Sequence, residues 1–304
     1  MWPSERLGLR AVETTTDSQH TTVKSTIVLR VDDVRPRFDN ITTTTTSSSL
    51  HYDDAYVISA STAGSDVIAP TNDVMAAASS GGGVVEVVGQ SPAGVFYAVQ
   101  TLLSLLSDDA SRRRRLAVGM RVVDAPRFSY RGLMLDVARN FVAKDVVLRT
   151  LDVMSAYKLN RLHLHLTDDQ GWRFHVADLP ELTEVGSRRG HGSHRSMLPP
   201  YLGSGPTPDD GRAAFYSRND YRDILRHARR RHVTVIPEVD VPGHSGAAIA
   251  SMRARKWSGS RGRNWTLVGE EASIDNYVLS LCLTSTLTFV EHVISELVRL
   301  HKVP

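Results

Sequence analysis

Cysteine is nearly missing from this chain. Cys282 is the one example in 304 residues, so no disulfide can form within it. Long apolar runs are missing too. No segment reaches the roughly 18 residues that a membrane-spanning helix needs, and Met1-Trp-Pro-Ser-Glu-Arg6 lacks the apolar run of a signal peptide. The chain therefore reads either as intracellular or as lacking its natural start. Neither charge sign dominates: 36 Lys and Arg face 33 Asp and Glu, a net +3. That is too mild to argue for nucleic acid. Gly81-Gly82-Gly83 is no phosphate loop, because no Lys-Ser/Thr follows and the next residues, Val84-Val85-Glu86-Val87-Val88, read as a strand. Nucleic acid, membrane and cofactor are all expected to be absent from its partners.

What is present is a globular composition, 41% hydrophobic and 23% charged, at a length that suggests two domains with a substantial core. Two basic clusters stand out. Arg112-Arg113-Arg114-Arg115 follows Ser107-Asp108-Asp109 and reads as a solvated loop, while Arg226 to His232 reads as the wet face of a helix. Cys282, between Leu281 and Leu283, is expected to be a small buried thiol rather than a nucleophile. Asn40-Ile-Thr42 and Asn264-Trp-Thr266 match the N-glycosylation pattern, which also arises by chance.

Residues 1–50 are polar, and the Thr/Ser tract from Thr42 to Ser49 is expected to be a disordered loop tip. Strands are predicted at 26–31, 55–60, 84–88 and 116–123. A helix is predicted from Ser91-Pro92 to about Leu106, with Val95, Val99, Leu102 and Leu106 inward. Residues 1–127 thus form a small α/β domain. From 128 to 304 the pattern alternates. Strands at 130–136, 161–167 and 233–239 are each followed by helix signals, at about 144–157, 219–231 and 286–301. Ser217 is the expected N-cap of the second helix. A Gly/Pro/His-rich insertion spans roughly 186–212, with His191 and His194 read as solvated. Alternating βα units imply parallel strands with helical crossovers, in a (β/α)8 barrel or a doubly wound sheet.

Chemistry gathers at the ends of the three strands. The first supplies Arg131, Asp136 and Arg139; the second His165, Asp168, Asp169 and Trp172; the third Glu238, Asp240 and His244. On a barrel these would converge at the C-terminal face, where active sites form. A lone strand-end acid is as readily a helix cap or loop anchor, but recurrence at three successive strands favours function. Acid, amide and indole together, in Asp168-Asp169-Gln170-Gly171-Trp172, suit a sugar site. Trp172 has a second reading, in which its ring packs against the following helix. Trp257 and Trp265 lie in or beside a Gly/Arg/Ser-rich loop that would rim the site.

These runs carry a resemblance. Tyr130-Arg-Gly-Leu-Met-Leu-Asp136 with Val137-Ala-Arg-Asn140, Leu159 to Arg173, Leu179-Pro-Glu-Leu182, and Val235-Ile-Pro-Glu-Val-Asp-Val-Pro-Gly-His244 resemble family 20 glycoside hydrolases, the β-N-acetylhexosaminidases. The resemblance extends more loosely over residues 26–127. It implies a small α/β domain followed by a TIM-type barrel of which about three βα units are present. It also implies exo-acting removal of terminal β-linked N-acetylglucosamine or N-acetylgalactosamine from glycans. In that scheme the substrate's own acetamido oxygen attacks the anomeric carbon, an exception to the two-carboxylate mechanism. A tethered nucleophile avoids the entropic cost of recruiting a second reactant. Arg131 would bind sugar hydroxyls, Asp168 would pair with His244 to tune the acid, and Asp169, Trp172 and Glu238 would face the substrate. No metal or cofactor is implied. A homodimer and a lysosomal or secreted location are.

The sequence departs from the family in one respect. The acid belongs to a His-x-Gly-Gly-Asp-Glu motif at the fourth strand, and no such run occurs; Glu270-Glu271 lacks the glycines. The chain is therefore expected to be a truncated form, without the acid and inactive alone. Three rival readings remain. One is a non-catalytic sugar-binding or partner fragment. Another is a metal-dependent hydrolase using His163 and His165. The third is a serine esterase built on Gly243-His-Ser245-Gly-Ala247, an imperfect nucleophile elbow.

Overall fold

The computed structural model describes residues 26–31, 52–62, 83–107, 119–191, 197–202, 214–259, 265–269 and 277–302. The Thr/Ser tract, the four-arginine run, His194, Asn40 and Asn264 lie outside them. The chain divides into two compact units, Met1–Arg131 and Gly132–Pro304.

The first unit holds strands β1 (Thr26–Val31), β2 (Tyr56–Thr62), β3 (Gly83–Gly89) and β4 (Arg121–Asp124), and helix α1 (Pro92–Ser107). The sheet order is β1-β3-β2-β4, with β1 parallel to β3 and β2 antiparallel to both its neighbours. Ser91 starts the helix by accepting from the Gly94 amide at 3.1 Å, and Pro92, which has no amide hydrogen to satisfy, fills the first helical position. The inward face of α1 is Tyr97, Ala98 and Leu102, packed on Tyr56, Ile58 and Val87. Of the expected stripe Leu102 is buried, while Val95 and Val99 are only partly so. The large Tyr97 ring buries more apolar area than a valine, so it sets the rotation of the helix.

The second unit positions the polar residues. Its strands are β5 (Gly132–Asp136), β6 (Arg161–Asp168), β7 (Gly171–Trp172) and β8 (Thr234–Val239). Its helices are α2 (Lys144–Ala156), α3 (Glu181–Glu184), α4 (Arg218–Arg230), α5 (Gly246–Trp257) and α6 (Thr284–His301). β6 is central, parallel to β5 on one side and β8 on the other. Leu162, Leu164 and Leu166 alternate along it and are fully buried. Val147, Leu151 and Met154 of α2, Tyr221 and Ile224 of α4, and Phe289, Val293 and Leu297 of α6 join them in one core. The histidines of β6, at the alternate positions, point to the opposite face of the sheet.

Local signals explain the helix starts. Ser217 accepts from the Asp220 amide at 3.1 Å while Asp220 accepts from the Ser217 amide, a complete capping box. Helix α5 was not foreseen. It is buried on nearly every side, from Ala247, Ala248 and Ile249 to Met252 and Ala254, so it shows no polar face by which to recognise it. Among the described residues no helix is long and apolar enough to cross a membrane. Cys282 is exposed, against expectation: it lies in the turn before α6, outside the apolar stripe of that helix.

Candidate active site

Three parallel strands present one row of polar side chains. Register aligns Asp136 of β5 with His165 of β6, and His165 with Glu238 of β8. At the C-terminal end of β6, Asp168 is 1% exposed. Its Oδ2 accepts from His165 Nε2 at 2.9 Å and pairs with Arg139 Nη2 at 2.5 Å. Its Oδ1 accepts from the Asp169 amide at 2.7 Å. His165 Nδ1 lies 3.0 Å from Glu238, close but off-line, so this is a charge contact rather than a well-formed hydrogen bond. His163 also contacts the Glu238 carboxylate.

The electrostatics follow from this geometry. The hydrogen bond that His165 donates to Asp168 outweighs desolvation, and with Glu238 it raises the His165 pKa to about 9. Burial pushes the Asp168 pKa up. The bond from His165, the Asp169 amide and the charges of Arg139 and His244 prevail, and hold it below the usual carboxylate value. Glu238 is likewise held down, burial opposing and the two histidines prevailing. At neutral pH the centre is an imidazolium between two carboxylates.

His244 completes the group from the turn after β8. Its backbone is left-handed, with φ of 50°, and its side chain is 56% exposed. Nδ1 lies 3.3 Å from Asp168 Oδ1 and 3.2 Å from Asp169 Oδ2. The other Asp169 oxygen accepts from the Gly246 amide at 2.9 Å. Asp169 thus caps α5, whose own N-cap, Ser245, makes no side-chain capping bond. A carboxylate there also complements the helix dipole. Behind Asp168, Asp240 donates its amide to Thr167 at 3.1 Å, tying the end of β8 to β6.

Against this geometry the comparisons are specific. The model of the glycosyl hydrolase family 20 catalytic domain matches residues 128–304. The chain belongs to glycosyl hydrolase family 20. The N,N'-diacetylchitobiase of Vibrio harveyi is 43% identical to it over 233 residues, 69% of this chain and 25% of that protein. A β-hexosaminidase of Vibrio vulnificus is 37% identical over 239 residues, 72% of this chain and 27% of that protein. Among solved structures, an inactive mutant of the family 20 exo-β-N-acetylglucosaminidase from Vibrio harveyi superposes with a TM-score of 0.65 at 30% identity, over 91% of this chain and 36% of that one. The Streptomyces plicatus N-acetyl-β-hexosaminidase in complex with Thio-NAglucal gives 0.61 at 30% identity, over 90% of this chain and 45% of that one. The chain thus spans about a quarter of the length of the curated relatives it matches. Its β5-β6-β8 sheet with the surrounding helices is part of a family 20 TIM barrel.

The structure brings Asp168, Asp169 and His244 together and, through His165, Glu238. Arg131 and Trp172 have partners of their own. Arg131 belongs to the first unit, where its guanidinium pairs with Asp54 at 3.1 Å and donates to the Phe128 carbonyl at 2.7 Å. Trp172 is in the core, 2% exposed, with its ring stacked on Phe174 and Nε1 donating to the Phe174 carbonyl at 2.8 Å. It takes the packing role, because its edge is bonded and its face is covered. Beside Asp168 and Trp172 lies an apolar cavity of about 30 Å³, room for about one water rather than a sugar ring. Trp257 and Trp265 line a separate cavity of about 290 Å³ that shares no residue with it.

The residues of the rival chemistries are placed as follows. Two imidazole–carboxylate groups, His165 with Glu238 and Asp240, and Asp168 with Asp169 and His244, bring ligand atoms within 4.8 Å of one another. His165 has both nitrogens facing carboxylates, Nε2 toward Asp168 and Nδ1 toward Glu238. His163 is itself turned onto Glu238. Ser245 is buried, its hydroxyl aimed at the carbonyls of Asp240 and Gly243 at 3.3 and 3.1 Å. The strained φ belongs to His244 rather than to the serine, as a nucleophile elbow would require. Arg139 was legible as a strand-end residue. Arg173 and Arg189, which shape the loop carrying it, were not.

Proposed function

We propose that residues 1–304 are part of an exo-acting β-N-acetylhexosaminidase that removes terminal N-acetylglucosamine or N-acetylgalactosamine by substrate-assisted, retaining hydrolysis. The observation that carries this is the Asp168–His244–Asp169 cluster at the ends of β6 and β8 in a family 20 chain. With carboxylates against Nδ1, the ring keeps a proton there and leaves Nε2 to bond an incoming acid. Asp168 supplies charge to that bond from a buried site. Asp169 and Glu238 support the histidines rather than face a sugar. Arg131 binds hydroxyls of the terminal sugar, and residues 1–127 are the small α/β domain that precedes the barrel in this family. Residues 1–304 contain no Gly-Gly-Asp-Glu run to supply the acid that protonates the leaving oxygen, so they should not turn over alone.

The test is hydrolysis of a chromogenic N-acetyl-β-glucosaminide by residues 1–304 and by a chimaera in which they replace the matching part of the Vibrio harveyi chitobiase. The chimaera should cleave, residues 1–304 alone should not, and Asp168→Asn in the chimaera should slow release by about 100-fold or more. Turnover by the 304-residue chain would refute the missing acid. A folded chimaera indifferent to Asp168→Asn would refute the assigned role.

A further inference from the structure

Beneath the turn that follows β5 sit two buried arginines with no part in the chemistry so far. Arg173, fully buried, fans its guanidinium across three segments. Nε donates to the Val137 carbonyl at 3.0 Å, Nη2 to Ala138 at 2.8 Å, and Nη1 to Ser187 at 2.8 Å and Ala214 at 2.9 Å. Arg189, 3% exposed, approaches the next residues of the same turn. Its Nη1 donates to the Arg139 carbonyl, and its Nη2 reaches Asn140 Oδ1 at 3.3 Å and the Leu202 carbonyl at 3.2 Å. Four consecutive residues, Val137 to Asn140, are thus gripped from below. From above, Asp136 Oδ1 accepts the amides of Ala138 and Arg139 at 3.0 and 3.1 Å.

The arrangement is an expensive one. Burial and then the neighbouring charge of Arg189 lower the Arg173 pKa to about 10. Only guanidinium, with five donors in a planar fork, can satisfy so many carbonyls at once. Space for it is made by Gly171, where any Cβ would come within 2.3 Å of the Ala138 carbonyl and 2.5 Å of Arg173 Nη2. What the turn presents in return is Arg139, whose guanidinium spans Asp136 at 2.8 Å and Asp168 at 2.5 Å and is steadied by Gln170 at 3.3 Å.

We infer that Arg173 and Arg189 are positioning residues, clamping the Val137–Asn140 turn so that the Arg139 cation meets Asp168 and sets the charge balance of the Asp168–His165 pair. The inference rests on the proposed function only in treating Asp168 as part of an acid-tuning pair. Its test needs no sugar, so the two can fail separately.

The readout is the titration midpoint of His165, followed by NMR of the imidazole resonances in residues 1–304 and assigned by the signal lost in His165→Gln. Arg139→Gln removes a cation that offsets Asp168, so the midpoint should rise by about one pH unit. Arg189→Lys keeps the positive charge but cannot span Arg139, Asn140 and Leu202. It should raise the midpoint in the same direction by roughly half a unit, and Arg173→Lys should do likewise. In the Arg139→Gln/Arg189→Lys double variant the midpoint should match that of Arg139→Gln alone. If Arg189→Lys lowers the melting temperature yet leaves the His165 midpoint at the wild-type value, the arginines serve the fold only and the inference is overturned. An unchanged midpoint in Arg139→Gln overturns it too. Should Arg173→Lys not fold, the less central Arg189→Lys decides the matter.

Discussion

A protonated imidazole held between two carboxylates makes stability depend on pH in a definite sense. The folded pKa of His165, about 9, lies above its reference value of 6.5. Its contribution is therefore full below about 6.5 and is lost as pH rises through 9. Asp168 has the opposite sign. Its pKa is lowered from 3.8, so its contribution is present above that value and is lost as pH falls further. Thermal melting followed from pH 6.5 to 10 should show a steady fall in midpoint, and the fall should flatten in His165→Gln. Asp168→Asn should cost about 3 kcal/mol in denaturant unfolding, because it leaves Arg139 and His165 without their buried anion. The same variant should bring the His165 midpoint down, since the largest cause of its elevation is gone. Sequence reasoning offered His163 and His165, with Asp168 and His244 nearby, as a metal pair in one rival reading. It could not see that Glu238, 73 residues beyond His165, stands opposite on the next strand, because register between distant strands leaves no local mark.

Among elements, the adjacent carboxylates Asp168 and Asp169 part company. Asp168 belongs to the strand and to charge; Asp169 belongs half to the histidine and half to the start of α5. Asp169→Ala should destabilise by about 1 kcal/mol through the lost cap, while leaving the Asp168–His165 bond in place. Measuring unfolding together with the His165 titration separates the two acids, since only the Asp168 change should move both. Where an element carried a local signal it was legible: the leucine alternation of β6, the Val147/Leu151/Met154 stripe of α2 and the Ser217–Asp220 box of α4 all stand as their residues imply. Helix α5 had no such signal. The rotation of α1 was misjudged because periodicity weighs a valine like a tyrosine, whereas burial does not.

On the scale of the whole molecule, each unit is organised around one sheet, and the site residues come from the C-terminal ends of parallel strands. That much followed from alternating βα signals and from the strand-end acids. The loop contacts did not, because a guanidinium bonding backbone carbonyls can find such partners beneath any sequence. The second unit's core centres on aromatic packing: Phe289 lies 6.4 Å from Trp172 and 5.8 Å from Trp265, ring to ring. Phe289→Ala should cost about 3–5 kcal/mol and shift tryptophan emission to the red as water reaches the two indoles; an unchanged spectrum and melting temperature would contradict this packing.

Gly171 gives the molecule a genetic signature. Every single-base change that replaces a glycine codon's residue installs at least a Cβ, and here any Cβ collides with a carbonyl on one side and a guanidinium on the other. The carbonyl is backbone and cannot be edited by mutation. The guanidinium can. Trimming Arg173 would clear the guanidinium but leave the 2.3 Å approach to the Ala138 carbonyl, so a line of descent that drifts away from glycine must also displace the turn that carries Arg139. Suppressor screens started from Gly171→Ala should accordingly recover the glycine itself rather than a change at position 173.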